Sequence, residues 1–321
     1  MIVALCLCAR QMSARQASGK IRSWGNDQMA ALMQAWQAGF RRRHPDAQFE
    51  TKLLGTGTGM AGLYSGVADL ALMGRESTAT EVMAFEWVFK YKPLGIEVAT
   101  GSLDASGKAF AVAVFVHKDN PLAQMTLAQL DAVFGSEHLR GPRNIRMWGE
   151  LGLTGAWKDQ AINVYGYDFE TNTGAFFKRA VLNGSDKWNC EMKEFADVKQ
   201  SDGSSLDASH RILDALARDS YGIAYANLRY ANARVKPLAL ASNDGGPFYA
   251  ATKENLIARK YPLTRAAMIY VNRAPNQPLD PKVKEFLRYV LSAEGQQAVK
   301  REGDFLPLSE TVVPEQLKNL E

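Results

Sequence analysis

The sequence predicts an α/β protein built on mixed, mostly parallel sheets with helices on both faces. Two observations carry this. The first third alternates short apolar strand segments with amphipathic helical segments in a β-α-β-α-β order, which implies parallel strands covered on both sides. The stretch from Leu53 to Glu76 then joins strand to helix through a glycine-rich turn, Gly55-Thr56-Gly57-Thr58-Gly59. In sheets of this kind ligands bind at the carboxyl ends of the strands.

The elements follow in order. Ile21–Trp24 reads as a strand, and Gly25-Asn26-Asp27 after it supplies a good N-cap. Met29, Leu32, Met33, Trp36 and Phe40 fall at helical spacing and mark a core face, which His44-Pro45 ends. Phe49, Thr51 and Leu53 alternate as a second strand. Glycines 55, 57 and 59 then let backbone approach a ligand without Cβ atoms in the way. A helix opening near Met60 would aim free N–H groups at the Thr56–Gly59 loop, a geometry suited to an anion or a polar oxygen. A third strand, Asp69 to Met73, delivers Arg75 to its end, followed by a helix from Glu81 to Tyr91 and strands at Ile96–Thr100 and Ala109–Val116. The middle third continues the alternation, with a capped helix at Thr126–Phe134, a strand at Ile162–Tyr165, a polar loop from Gly166 to Asn172, and a helix from Thr173 to Leu182. A helix at Ser205–Asp219 and a strand at Tyr221–Tyr225 follow. The last third holds a strand at Leu263–Val271 and a helix at Val283–Leu291 opened by Asp280-Pro281.

At 321 residues the chain can bury a large core and has room for two domains. A net charge of +4 without a polybasic block argues against nucleic acid as partner. Arg41-Arg42-Arg43 sits where a helix ends and suits its dipole. No apolar run reaches the ~18 residues of a membrane span. Residues 1–20 read as a secretory signal, incomplete because a basic start is missing, with Met12-Ser13-Ala14 as the small-residue cleavage stretch. Cys6 and Cys8 lie inside that run, and Cys190 alone remains beyond it, so no internal disulfide is expected there.

The order of these pieces resembles the substrate-binding proteins of phosphate ABC transporters. The blocks are Gly25-x-Asp27-x-Met29, Gly55-x-Gly57-x-Gly59, Ala68-Asp69 with Met73-x-Arg75, Val114-x-Val116-x-Lys118-Asp119-Asn120-Pro121 and Trp148-Gly149-x-Leu151-Gly152. Further on come Tyr165-Gly166-x-Asp168 with Phe176-Phe177-Lys178, Tyr221-Gly222-Ile223-x-Tyr225 and Pro278-Leu279-Asp280-Pro281. They span about Ile21 to Leu308, and their joint order is the specific signal. The resemblance implies the two-lobed type II periplasmic-binding-protein fold with a ligand cleft between lobes. Lobe 1 would be 21–103 plus 235–321, and lobe 2 an inserted 104–234. It implies no catalysis, no cofactor and no metal. It further implies a periplasmic location, an ABC permease as partner, and a monomer that binds a small molecule (phosphate, another oxyanion or a polar solute).

The resemblance also nominates ligand-binding residues: Asn26, Asp27, Gln28, Thr56, Gly57, Thr58, Gly59 and Arg75 in lobe 1, and Tyr167, Thr171, Asn172 and Thr173 in lobe 2. Several depart from the family. Hydroxyl residues stand in the family where Asn26 and Gln28 stand here. An arginine stands where Tyr167 is, and Ser-Gly-Thr where Thr171-Asn172-Thr173 is. Losing that arginine removes a fixed positive fork matched to phosphate oxygens. The expectation is a neutral or larger polar ligand with weak phosphate affinity, which Tyr167→Arg with Asn172→Gly would raise. Capping is the competing role for Asn26, Asp27, Thr171 and Thr173; Tyr167 reads as a cleft aromatic or a core residue. Arg75 lies in the cleft or pairs with Asp27 or Glu76.

Two other functions stay in view. Gly57-Thr58-Gly59-Met60-Ala61-Gly62 fits the dinucleotide fingerprint G-x-G-x-x-G, the mark of an oxidoreductase, but the next strand ends in Met73-Gly74-Arg75 where an acidic residue is needed. His44, His117, His138 and His210 are scattered without metal-ligand spacing. The other is a periplasmic sensor or adaptor of the same family that has lost transport.

Overall fold

A computed structural model describes residues 19–101 and 111–321. The proposed signal segment lies outside these residues, except for its last two positions, and so does the expected first lobe boundary at 103/104. The described residues divide into two compact units, one holding 19–101 and 266–321, the other 111–265.

Unit 1 begins with strand β1 (Lys20–Gly25), helix α1 (Ala30–Arg41), β2 (Gln48–Lys52), α2 (Gly57–Tyr64), β3 (Leu70–Leu72), α3 (Ala79–Phe89) and β4 (Leu94–Thr100). Unit 2 follows with β5 (Val112–His117), β6 (Gln124–Thr126), α4 (Leu127–Phe134), β7 (Asn163–Tyr167), α5 (Asn172–Ala180), β8 (Lys193–Phe195), β9 (Val198–Lys199) and β10 (Ser205–Leu206). It continues through α6 (Ala208–Leu216), β11 (Gly222–Asn227), β12 (Val235–Pro237), β13 (Ala239–Ala241) and α7 (Lys253–Ile257). The chain then returns to unit 1 for β14 (Ala266–Val271), α8 (Pro281–Leu291), α9 (Ala293–Glu302) and α10 (Val312–Lys318). No helix among the described residues is long and apolar enough to cross a membrane.

The sheet of unit 1 runs β2-β1-β3-β14-β4, with β1 parallel to β2 and β3, and β14 antiparallel to β3 and β4. Leu32, Met33, Trp36 and Phe40 of α1 pack with Phe286 and Val290 of α8 in one core cluster. Trp36 donates its indole N–H to the Gly295 carbonyl at 3.0 Å, so the large ring is buried with its polar atom satisfied. Met60, Leu63 and Phe85 form a second cluster with Ala71, Met73 and Tyr270, so α2 and α3 share one apolar contact with the strands. The sheet of unit 2 runs β12-β5-β11-β7-β8, parallel across β11-β7-β8 and antiparallel across β12-β5-β11. Its core stacks Phe177 on Tyr225, with ring centroids 3.8 Å apart.

The second crossing comes later than the expected residue 235. Val235–Pro237 pairs with β5, and Ala239–Ala241 pairs with β6, both inside unit 2. Backbone pairing fixes that segment where composition gave no sign of it, and the return to unit 1 comes at Ala266. Two smaller differences have the same origin. Gly166 and Tyr167 belong to β7, because β8 pairs with them, so the loop starts at Asp168. The expected helix from Ser205 starts instead at Ala208, after the Ser205–Leu206 strand has paired with β9.

Candidate functional site

The nominated residues of unit 1 gather at the carboxyl ends of β1, β2 and β3. Gly55 N–H donates to the Gly25 carbonyl at 3.0 Å, tying the turn after β2 to the end of β1. Asn26 N–H donates to the Leu72 carbonyl at 2.7 Å, and the Asn26 side-chain amide donates to the Met73 carbonyl at 3.3 Å. Its side-chain oxygen accepts the Gln28 N–H at 2.9 Å. Asn26 is therefore buried, caps the short turn Asp27–Met29 and stitches two strand ends together. Capping is the role its side chain fulfils. Asp27 is exposed and Gln28 half-buried on that turn.

Helix α2 starts at Gly57, three residues before the expected position, with no side-chain cap: Thr56 already has helical dihedrals. The Thr58 hydroxyl donates back to the Gly55 carbonyl at 2.8 Å. The three glycines of this turn divide their roles. Gly55 has φ +106°, a conformation that side chains resist. Gly57 is exposed, with open space where a Cβ would stand. Gly59 is buried, and a Cβ there would lie 2.9 Å from Met73 Sδ and 3.3 Å from Gly25 Cα. Gly59 therefore serves close packing of α2 on the strand ends, a role that the sequence did not suggest for it. Gly62 does the same against Trp24 and Ala68, at 3.0 and 3.1 Å. Two of the three glycines in the dinucleotide-like spacing, Gly59 and Gly62, thus serve helix-on-strand packing.

Arg75 lies beyond β3 and is buried. Its partner is neither Asp27 nor the Glu76 carboxylate. Nη1 and Nη2 grip the two oxygens of Glu81 at 2.9 and 2.8 Å, and Nη1 also donates to the Glu76 carbonyl at 2.8 Å. Glu81 accepts the Thr78 N–H at 2.8 Å and completes a capping box on α3. Burial works to raise the Glu81 carboxyl, but its bonds to Arg75 and Thr78 outweigh this and hold it below its usual range. The Thr78-x-x-Glu81 pattern before an apolar run was the sequence signal that could have placed Glu81, although not its pairing.

In unit 2 the carboxyl ends of β7, β8 and β11 carry the corresponding loops. Tyr167 is a correction to the reading as a cleft aromatic. It is 8% exposed, hydrogen-bonds through its hydroxyl to Ser209, and receives the Tyr225 hydroxyl on its carbonyl at 3.2 Å. Burial pushes its phenol well above the usual range. The strand alternation extended to residue 167 by β8 turns this side chain inward. Thr171 caps α5, accepting the Gly174 N–H at 3.0 Å and donating to the Asp168 carbonyl at 2.6 Å. Asn172 is exposed and Thr173 half-buried in the first turn. Carboxylates crowd this edge. Glu194 titrates above its usual range, through desolvation and then the charge of Asp168, although the Phe169 N–H works the other way. Asp197 and Asp207 take the Ala208 and Ser209 N–H groups at 2.8 and 2.7 Å, closing the start of α6. Sequence reading missed these acids, and Ser209, because they come from strands and helices distant in sequence. Among the described residues no group of three or more His, Cys, Asp or Glu side chains is placed to hold a metal.

An α/β protein whose polar loops gather at parallel strand ends belongs to the class that holds small molecules there. Relatives give that class a name. Residues 11–294 match the PBP superfamily domain. The phosphate-binding protein PstS of Pseudomonas aeruginosa is 34% identical over 308 residues, covering 96% of this chain and 88% of that protein. The chain belongs to the PBP superfamily, in the family of the phosphate-binding protein PstS. Among solved structures, PstS from Borrelia burgdorferi is similar at TM-score 0.56 and 18% identity, covering 90% of this chain and 99% of that one. An ABC-type phosphate transport receptor from Vibrio cholerae is similar at 0.55 and 17%, covering 89% and 99%. These two likenesses bear on the fold.

Proposed function

We propose that this protein is the periplasmic solute-binding component of an ABC transporter, a monomer that carries a polar solute or oxyanion to a permease without altering it. The observation that carries this reading is the 34% identity to a phosphate-binding protein along nearly the whole chain. The nominated donors are the 26–28 and 56–59 turns of unit 1 and the first turn of α5 in unit 2.

The donor set is unusual for a phosphate dianion. Tyr167 stands where the family resemblance puts an arginine, and the Arg75 fork is engaged by Glu81. The acids around Asp168 further disfavour a second negative charge nearby. Charge-assisted hydrogen bonds contribute about 1.5–3 kcal/mol against about 1 for neutral ones. Phosphate affinity is therefore expected to be weaker than micromolar, with a neutral or singly charged solute preferred. Isothermal titration with phosphate tests this: a dissociation constant of about 1 μM or tighter, near −8.2 kcal/mol, would overturn the weak-phosphate reading. Permease and ATPase genes beside this one would support transport over a sensor or adaptor role.

A further inference from the structure

Arg75 follows directly on the strand end that Asn26 stitches to β1. The turn that carries it is pressed against the Asn26 loop: Gly74 has φ +64°, and a Cβ there would lie 2.6 Å from Asn26 Nδ2. The guanidinium is nine-tenths buried, and its Nε is buried with no hydrogen-bond partner among the described residues. Both terminal nitrogens face the Glu81 carboxylate in the parallel two-bond arrangement by which an arginine grips two oxygens of an oxyanion. Glu81 is held in place by the Thr78 N–H and by its position in the first turn of α3.

We propose that Glu81 is a specificity-setting residue, a built-in carboxylate that occupies the Arg75 fork and thereby turns the unit 1 site against doubly charged oxyanions. This rests on the solute-binding reading above and deepens it. A dianion approaching the Asn26 and Thr56–Gly59 turns meets a cation already neutralised. It must either displace Glu81 or add two negative charges beside a carboxylate in a partly buried, poorly screened place. A neutral polar solute meets no such opposition. Glu81 acts through Arg75, so its effect must vanish when Arg75 is gone.

The test uses the full chain and inorganic phosphate and sulfate as probes, titrated calorimetrically. Glu81→Gln retains the side-chain length and the acceptor of the capping box while removing the charge. It is expected to tighten both dianions tenfold or more. The double variant Arg75→Gln/Glu81→Gln is expected to lose that gain, an outcome that a purely structural role for Glu81 would not produce. Dianion affinities within twofold of wild type in folded Glu81→Gln would overturn the proposal. So would an equal gain in the double variant. If Glu81→Gln fails to fold, Glu81→Asp, which draws the carboxylate back from the fork, is expected to show an intermediate gain, and no gain there counts equally against it. A wild-type protein whose melting temperature responds to no small polar solute or anion would instead defeat the solute-binding reading, leaving the dianion comparison of the variants to decide the role of Glu81.

Discussion

The two strand–loop–helix junctions at 53–59 and 167–174 look alike in sequence but are built on opposite principles. In unit 1, α2 starts without a side-chain cap, and its exposed first residue is a glycine with open space above it. In unit 2, α5 is closed by Thr171, and α6 by Asp207 and Asp197, so the helix starts are satisfied by the protein's own side chains. A helix start carries a partial positive charge and unsatisfied N–H groups. In α2 the Thr58 and Gly59 N–H groups are taken by the Gly55 and Thr56 carbonyls, whereas in α5 and α6 the first N–H groups are taken by side chains. The contrast is between a helix start closed by its own backbone in unit 1 and starts closed by side chains along an acidic edge in unit 2.

Four substitutions and one change of pH would break or sharpen this contrast, in decreasing order of effect. Tyr167→Arg should be the most damaging, because it puts a guanidinium in the buried place beside Tyr225 and Ser209. A loss of about 3 kcal/mol is expected from overfilling this buried place, with the nearby Asp207 and Asp197 carboxylates offsetting part of the cost of the charge. Urea unfolding checks it; unchanged stability would mean that the unit 2 edge is open after all. The sequence-based expectation couples this change to Asn172→Gly, so any gain in phosphate affinity in that double variant would come with a loss of stability. Gly25→Ala comes next. Its Cβ would fall 2.0 Å from the Leu72 carbonyl oxygen at φ +143°, so the β1–β3 junction must shift. About 2–3 kcal/mol is expected, measured the same way.

Thr171→Ala should cost about 1 kcal/mol through loss of the cap. Thr56→Ala, at the helix start with no side-chain cap, should change stability by less than about 0.5 kcal/mol. Equal losses in the two would erase the distinction between the junctions. The last effect is a pH dependence. The Glu81 carboxyl titrates lower in the folded protein than in the unfolded chain. Its contribution is therefore fully present above the unfolded value of about 4.3 and is lost as pH falls through the folded value. The gap in urea midpoint between wild type and Glu81→Gln should narrow below about pH 4. A constant gap from pH 7 downward would show that the Arg75 pairing does not depress this group.

Much of the fold was legible in the chain. Met29, Met33 and Trp36, at helical spacing, are fully buried, and Asp280-Pro281 starts α8 with Asp280 as its cap. Thr126 caps α4 through a capping box. Such features are local: they depend on periodicity and on groups within a turn of each other. The candidate site was legible only as loops. The sequence located the turns at 26–28, 56–59 and 75, and the hydrogen bonds among Gly25, Asn26, Gly55, Leu72 and Met73 bring the first two to the end of β3. It did not reveal that Gly59 is a packing residue, or that Arg75 is engaged by Glu81.

The sequence alone determined the alternation of strands and helices, the core-facing stripes and the glycine-rich junction, because these follow from side-chain spacing and backbone preference. Tertiary structure decided which way Tyr167 points, where β12 and β13 belong and what holds Arg75. Each of these depends on a partner brought up by the fold: β8 for Tyr167, and β5 and β6 for the segment from 235 to 241. For Arg75 the partner is only six residues away, yet its choice required the end of β3 and the start of α3 to be set side by side in space.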